Sequence, residues 1–119
     1  MSIPRPRHLA PIARWCHRQP EVEEIYQWEC FVFKVRGKVF AICSSDNPLA
    51  ISLKPRRENI DAYLYHPDID IARYVGRYGW VTITVTGKDT AHLALDLVME
   101  SYDVVSTGKS RVWKKRESI

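Results

Sequence analysis

The sequence predicts an α+β fold in which a single antiparallel β-sheet carries helices packed on one of its faces. β-Branched and aromatic residues run up to Arg36-Gly37 and resume directly after it, which is typical of a β-hairpin. Residues 49–54 and 79–87 alternate apolar and polar side chains with the two-residue period of half-buried strands. Helical spacing of apolar residues begins near Pro11, Pro55 and Thr90. Antiparallel strands interrupted by helices favour the α+β class.

The hairpin predicts which side chains face the core. With Arg36 and Gly37 as turn residues, the expected cross-strand pairs are Val35–Lys38, Phe33–Phe40 and Phe31–Ile42. This register places the phenylalanines on one face, where each cross-strand aromatic pair contributes roughly 0.2–1 kcal/mol beyond burial. The other face receives Val32, Lys34, Val39 and Ala41. A slip of one residue would exchange the faces, so the aromatic pattern fixes the predicted pairing.

The segment before the hairpin predicts a helix and a short strand or turn. Pro11 suits the first turn of a helix. The apolar side of this helix is formed by Ile12, Trp15 and Cys16. Pro20 ends the helix, because the residue before a proline avoids the α region. Residues 21–29 are expected to lead into the hairpin.

Three further strands are expected after the hairpin. The strand over 49–54 points Leu49, Ile51 and Leu53 inward. Two more strands are predicted over 71–77 and 79–87, with a tight turn at Arg77-Tyr78-Gly79. The second of these has the clearest alternation, with Val81, Ile83 and Val85 inward.

Two helices accompany these strands. The first covers residues 55–65, and its apolar stripe is Ile60, Tyr63 and Leu64. The last runs from Thr90 to about Val105, with Asp89 or Thr90 as its cap. One side of the last helix is apolar and should lie against the sheet. The other side is polar, with Asp89, His92, Asp96, Glu100 and Asp103.

Length and composition predict one soluble domain in the cytoplasm. The 119 residues, 45% of them hydrophobic, suit a single core over residues 9–108. Residues 1–8 are expected to be a flexible lead-in and residues 109–119 a basic tail. An odd count of 3 cysteines favours free thiols in a reducing compartment. A secretion signal and an apolar run of the ~20 residues that span a membrane are both missing from the sequence.

Net charge is +4, from 18 Lys+Arg against 14 Asp+Glu, and the tail carries much of the excess. The basic residues of the tail are Lys109, Arg111, Lys114, Lys115 and Arg116. Such a balance permits binding to a polyanion without requiring it. Trp113 lies within this tail and could be an aromatic anchor for such a polyanion. Alternatively, the tail is disordered, or Trp113 docks back onto the domain.

Four short motifs resemble the MmcQ/YjbR family, and the similarity extends from about Trp15 to Gly108. They are the hairpin FVFKVRGKVFAICS, the joint ISLKP, the strand GWVTITV with Trp80, and the helix end ESYDVV. The resemblance implies a fold similar to bacterial frataxin (CyaY-like) and DNA binding. The positions it marks are Lys38, Ser52, Lys54, Trp80 and Ser101-Tyr102. A histidine common in the family shortly before the tryptophan is replaced here by Tyr78-Gly79, so a role for that histidine does not carry over.

Strand parity predicts a basic open face on the sheet. Opposite the aromatic core it would present Lys34, Ser52, Lys54, Trp80, Thr82 and Thr84. Cations neutralise phosphates and release counterions, while rings stack on bases. With Arg36 at one tip, and Arg73 and Arg77 at another, we expect a non-enzymatic protein that binds DNA with low sequence specificity. The residues expected to contact DNA are Lys34, Arg36, Lys38, Lys54, Arg73, Arg77 and Trp80.

Two alternatives use the same face. A protein partner could dock there with Trp80 as the hot spot. A solvated sheet face could equally carry lysine and threonine without any ligand, with Trp80 covering them.

Metal binding and catalysis are not predicted. Cys16 and His17 are neighbours on a helix and diverge, and the other histidines lie on separate elements. The acidic residues of the last helix are interpreted as a solvated face, although a frataxin-like fold suggests iron. Cys43 is interpreted as a small buried thiol rather than a nucleophile. Without a nucleotide-binding loop or nucleophile motif, we expect neither an enzyme nor a cofactor.

Overall fold

The computed structural model describes residues 5–108, which form three helices and six strands. In chain order these are α1 Leu9–His17, β1 Val22–Gln27, β2 Cys30–Val35, β3 Lys38–Ser44, β4 Leu49–Leu53, α2 Ile60–Leu64, β5 Ile69–Ile71, β6 Val81–Val85 and α3 Lys88–Thr107. Short 3₁₀ turns cover Arg57–Asn59 and Gly76–Tyr78. The predicted basic tail 109–119, and the first four residues of the lead-in, lie outside the described residues.

The strands form one six-stranded sheet in the order β1-β2-β3-β4-β6-β5, and every neighbouring pair is antiparallel. All three helices pack on the same face, where α3 crosses β3, β4 and β6. Buried side chains of the sheet meet those of α1 and α3 there, and the largest are Leu9, Ile12, Phe33, Phe40, Ile51, Leu53, Ile83 and Leu97. The predicted fold class is therefore confirmed.

Alternation decides burial in the central strands as the sequence predicts. Along β4, Leu49, Ile51 and Leu53 are buried, while the residues between them are half-buried. Strand β6 has the same pattern. In α2, the predicted apolar residues Ile60, Tyr63 and Leu64 pack against the core. Branched side chains pack well on a pleated surface, so these strands combine a favourable local preference with burial.

The predicted hairpin has the correct turn but a different register beyond it. Val35 pairs with Lys38 as expected, whereas Phe33 pairs with Ala41 because a β-bulge makes Phe40 and Ala41 both oppose it. A bulge adds one residue to one strand and shifts every later pair. Phe31 therefore faces Cys43, and the predicted pairs Phe33–Phe40 and Phe31–Ile42 are wrong.

The bulge also changes which side chains of β3 are buried. The fully buried side chains are Phe40, Ala41 and Cys43, while Ile42 is half-buried on the opposite face. Ile42 was expected in the core and Ala41 outside it, and the two are exchanged. The predicted burial of the Cys43 thiol is confirmed.

Residues 21–29, predicted as a short strand or turn, form the whole of β1 and the turn after it. Strand β1 pairs with β2 over its full length, from Val22–Val35 to Gln27–Cys30. Trp28 and Glu29 make the turn with φ of 56° and 60°. Two positive φ values in succession are those of a hairpin turn whose twist matches its strands.

The predicted strand over 71–77 is wrong, because β5 ends at Ile71. Ala72 still donates its N–H to the Trp80 carbonyl at 3.1 Å, and after that the chain leaves the sheet. Tyr74 has φ of 64°, a left-handed conformation that a continuing strand excludes. A Cβ at Gly76 would come within 2.3 Å of Ile71 Cγ2, so a larger residue there would force the Ile71 side chain to shift.

Helix α3 starts earlier than predicted, with Gly87 rather than Asp89 or Thr90 at its N-cap. The Thr90 side chain nevertheless caps the helix. Its hydroxyl accepts hydrogen bonds from the Thr86 N–H at 2.8 Å and the Gly87 N–H at 3.0 Å. These bonds join the end of β6 to the first turn of α3.

Candidate nucleic-acid interface

The antiparallel register brings the predicted basic residues to one end of the sheet. The pairs that show this are Val35–Lys38, Ala41–Leu53, Leu53–Val81 and Ile71–Val81. The β2–β3 turn, the end of β4 and the β5–β6 connection therefore lie at the same end. We call this region the basic end and define it by Arg36, Lys38, Lys54, Arg73, Arg77 and Trp80. Lys34 lies one pair further in, opposite Val39.

Lys38, Lys54 and Trp80 share one cavity at the basic end. Its volume is about 350 Å³, and its apolar lining comes from Trp80 together with Val39, Val104 and Val105. Gly108 also lines it, so the chain leaves α3 beside the two lysines.

Arg36 already has partners within the fold. Its guanidinium makes an ion pair with Glu21, with 2.8 Å between Nη1 and Oε1, and it also donates to the Ser106 carbonyl. These contacts tie the β2–β3 turn to β1 and to the last turn of α3. Arg36 therefore contributes structure at the basic end, and less of its charge is available to a ligand than the sequence suggested.

Arg73 and Arg77 are exposed on the β5–β6 connection. Among the salt bridges of residues 5–108, neither arginine has a carboxylate partner. The Arg77 guanidinium carbon lies 5.0 Å from the centre of the Tyr78 ring, a cation–π geometry. Tyr74 and Tyr78 are exposed beside these cations but were not predicted as site residues. The alternation of arginine and tyrosine in RYVGRY could have indicated these two residues. It was not used because the segment was predicted to be a strand.

The face opposite the helices is not the basic surface that was expected. One row crosses all six strands there, through Ile25, Val32, Ile42, Ser52, Thr82 and Asp70. Among the strand residues of this face within the described chain, Lys34 is the one Lys or Arg, and it lies opposite Glu23. Of the residues predicted to contact DNA, all except Lys34 lie at the end of the sheet instead.

Glu100 organises the joint between β4 and α2, next to Lys54. Its carboxylate accepts hydrogen bonds from the Arg56 N–H at 2.6 Å, the Tyr63 hydroxyl at 2.5 Å and the Asn59 amide at 3.2 Å. Arg56 also forms an ion pair with Asp103. Glu100 therefore holds the segment that follows β4 and is not only part of a solvated face, whereas Asp103 is exposed as expected and adds a surface ion pair.

These contacts shift two pKa values in opposite directions. Burial by itself raises the pKa of Glu100, but the bonds from Tyr63, Arg56 and Asn59 outweigh it and lower that pKa. Burial and the hydrogen bond to Glu100 raise the pKa of Tyr63 to about 12. The interaction requires an ionised Glu100 and a neutral Tyr63.

Replacing Tyr63 by Phe is expected to lower the free energy of unfolding by about 1 kcal/mol at neutral pH, the usual value of one hydrogen bond. Because the Tyr63 pKa is raised, its contribution is complete below its usual value of 10.0 and is lost as the pH rises toward about 12. Because the Glu100 pKa is lowered, its contribution is present above the usual 4.5 and is lost at lower pH. Urea unfolding of both proteins across this range is the measurement.

The difference between wild type and Tyr63→Phe should therefore be largest at intermediate pH. Tyr65→Phe is the control, because Tyr65 is 90% exposed. A difference that stays constant into strong alkali would contradict the proposed hydrogen bond.

Metal ligands and reactive thiols can be assessed within the described residues. Within residues 5–108 there is no group of three His, Cys, Asp or Glu side chains placed to hold a metal ion. Burial raises the pKa of all three cysteines, that of Cys16 to about 12, so they are protonated at neutral pH. Across the same range, no helix is both long and apolar enough to cross a membrane.

Comparison with known proteins identifies the family. Residues 17–104, well over half of the chain, match the YjbR family model. The chain belongs to the YjbR family. The resemblance seen in the sequence is thereby confirmed at the level of the family, while the likeness to bacterial frataxin stays a prediction. No curated protein matches this YjbR-family chain at a significant level.

Solved structures support the same fold. A crystal structure of protein DR2400 from Deinococcus radiodurans, with domain DUF419, has a TM-score of 0.75 and 27% identity, covering 85% of this chain and 80% of that one. A Pseudomonas syringae protein has a TM-score of 0.61 and 16% identity, covering 80% of this chain and 96% of its own. The second similarity, at such low identity, supports the fold alone.

Proposed function

We propose that this YjbR-family chain is a non-enzymatic DNA-binding protein that contacts phosphates with the basic end of its sheet. The observation that carries the proposal is the convergence of Lys38, Lys54, Arg73 and Arg77 on one end of a rigid sheet. Lys38 begins β3, Lys54 follows β4, and Arg73 and Arg77 lie in the β5–β6 connection, so the register of the strands brings them together.

Phosphate contacts would supply most of the binding free energy. Each Lys or Arg that neutralises a phosphate releases condensed counterions, so affinity falls steeply with salt. The exposed Arg73 and Arg77 are the best placed for this, whereas Lys38 and Lys54 stand beside Trp80 in the cavity. Contacts of this kind position a protein on DNA without reading its sequence. Binding is therefore mostly independent of sequence.

The decisive experiment is fluorescence anisotropy of a labelled duplex over a salt series, with wild type beside Arg73→Ala/Arg77→Ala. Removing two phosphate contacts should reduce the slope of log K against log salt by about 2, since each contact contributes roughly 0.9. Affinity at low salt should fall by roughly 10- to 100-fold.

The matched control is Arg7→Ala/Lys88→Ala. This variant loses the same charge, but both residues are exposed and line another cavity, at the start of α3 and so at the opposite end of the sheet. Equal weakening in both variants would show that net charge, and not the basic end, governs binding. The absence of binding at low salt to both the duplex and its matching single strand would refute the proposal.

A protein partner on the sheet face remains the second candidate. The half-buried aliphatic residues Ile25 and Ile42 favour it, because they lie on the face that the helices leave uncovered. Such an interface would depend on burial of apolar area, and its affinity would change little with salt. A partner that binds equally at low and high salt, and that is lost on Ile42→Asp, would support this candidate.

A further inference from the structure

The β5–β6 connection exposes an unusual amount of aromatic surface. Tyr74 is 89% exposed, Tyr78 is 58% exposed, and Ile71 before them is 64% exposed. Single exposed apolar residues are common, but a cluster of them marks a binding surface more often than chance. Arg73 and Arg77 stand within the same eight residues, so cations and rings alternate along the segment.

Backbone contacts fix this connection although its side chains are exposed. Ala72 donates its N–H to the Trp80 carbonyl at 3.1 Å, Tyr78 donates to Val75 at 2.9 Å, and Gly79 to Gly76 at 3.0 Å. Gly76 lies directly against Ile71, where a Cβ would be only 2.3 Å from the Ile71 Cγ2 methyl. Tyr74 has a left-handed backbone conformation, with φ of 64°, and its side chain is exposed. The rings are thus presented by an ordered segment, which reduces the entropy lost on binding.

We infer that the preferred ligand of the basic end is single-stranded rather than duplex nucleic acid, with Tyr74 and Tyr78 stacking on unpaired bases. This inference rests on the proposed function and names the class of its ligand. Bases in a duplex are stacked on each other and shield their faces, whereas every base of a single strand offers one. Arg77 already stacks on Tyr78 at 5.0 Å and would bring its charge to the phosphate of the same nucleotide.

Proteins that bind single-stranded nucleic acid without sequence preference combine positively charged side chains with aromatic rings. The backbone follows the positive charge while successive bases stack on aromatic side chains. Arg73 precedes Tyr74, and Arg77 precedes Tyr78, so the motif occurs twice with a spacing of four residues. Each occurrence supplies one ring for a base and one cation for a phosphate.

The test is anisotropy of a labelled single strand of about 20 bases and of the matching duplex, with wild type, Tyr74→Leu/Tyr78→Leu and Tyr74→Phe/Tyr78→Phe. Wild type should bind the single strand at least about 10-fold more tightly. The leucine variant, which keeps apolar bulk but loses the rings, should lose about 10- to 100-fold for the single strand and little for the duplex. The phenylalanine variant should retain wild-type binding because its rings still stack.

Tyr65→Leu is the matched control. Tyr65 is 90% exposed, but it follows α2 and precedes β5, whereas the β5–β6 connection follows β5, so its loss should leave binding unchanged. Equal affinity for both forms, or a leucine variant that binds the single strand normally, would overturn this inference while leaving the proposed function intact. If neither form binds wild type, the proposed function itself fails.

Discussion

Replacing Phe40 by Ala is expected to lower the free energy of unfolding by about 3–5 kcal/mol, the usual cost of removing a buried aromatic ring. Phe40 is the additional residue of the bulge in β3, and its side chain is fully buried. Its ring meets that of Tyr102 on α3 edge-on, with 5.3 Å between centres, and lies 6.4 Å from Phe33. The ring thus connects the hairpin to the last helix, and a cavity there would lie at the centre of the core.

Urea or thermal unfolding measures this effect. A domain of this size is stable by roughly 5–15 kcal/mol, so the variant should be only marginally folded. Phe40→Leu should cost much less because it keeps most of the volume, and Tyr65→Ala should stay within about 0.5 kcal/mol because it is exposed. A loss below about 1 kcal/mol for Phe40→Ala would mean that the bulge relaxes into the space and that the ring is dispensable.

The sequence predicted those parts of the fold in which local pattern and burial agree. Strands β4 and β6 alternate without interruption, and the structure buries Ile51 and Ile83 as predicted. The hairpin turn was predicted because Arg36-Gly37 interrupts two β-rich runs, and Gly37 does adopt φ of 80°. These features depend on neighbours in the sequence.

The errors arose where distant residues decide the conformation. The bulge that buries Phe40 and Ala41 together depends on α3, whose Ser101 hydroxyl bonds the Phe40 carbonyl at 2.6 Å. Residues 71–77 have the composition of a strand, yet the chain leaves the sheet after Ala72, with Tyr74 at a φ of 64° and Gly76 packed against Ile71. Neither interaction leaves a signal in the local periodicity.

In the candidate site, too, the residue types could be predicted from the local sequence, but their spatial arrangement could not. The basic residues were chosen from strand parity, which placed Lys54 and Trp80 on a sheet face. Strand order then gathered them at the end of the sheet, beside α3. Parity cannot predict this, because it describes each strand by itself. The order β4-β6-β5 brings Arg73 and Arg77 to the same end as Lys38, and that order is a property of the whole chain.

Ser101 is the second position at which a large effect is expected. Its hydroxyl donates to the Phe40 carbonyl at 2.6 Å and accepts from the Lys54 N–H at 2.9 Å, and its side chain is fully buried. Ser101→Ala leaves both backbone groups without this partner, and each such group costs about 1–3 kcal/mol when buried. We expect the free energy of unfolding to fall by about 2–4 kcal/mol. Ser106→Ala is the control, because its hydroxyl makes one long bond of 3.4 Å near the end of the same helix.

The amide of Lys54 gives a readout that global stability alone would not provide. If Ser101 holds it, hydrogen exchange at Lys54 should accelerate in Ser101→Ala well beyond the acceleration at Ile83, which stays in the centre of the sheet. Since Lys54 lines the cavity with Lys38 and Trp80, the same variant should also weaken ligand binding at the basic end. Equal acceleration at both amides would mean that Ser101 stabilises the whole domain and does not specifically hold the Lys54 amide. A selective loss at Lys54 would show that one hydroxyl of α3 positions both the bulge of β3 and the lysine that follows β4.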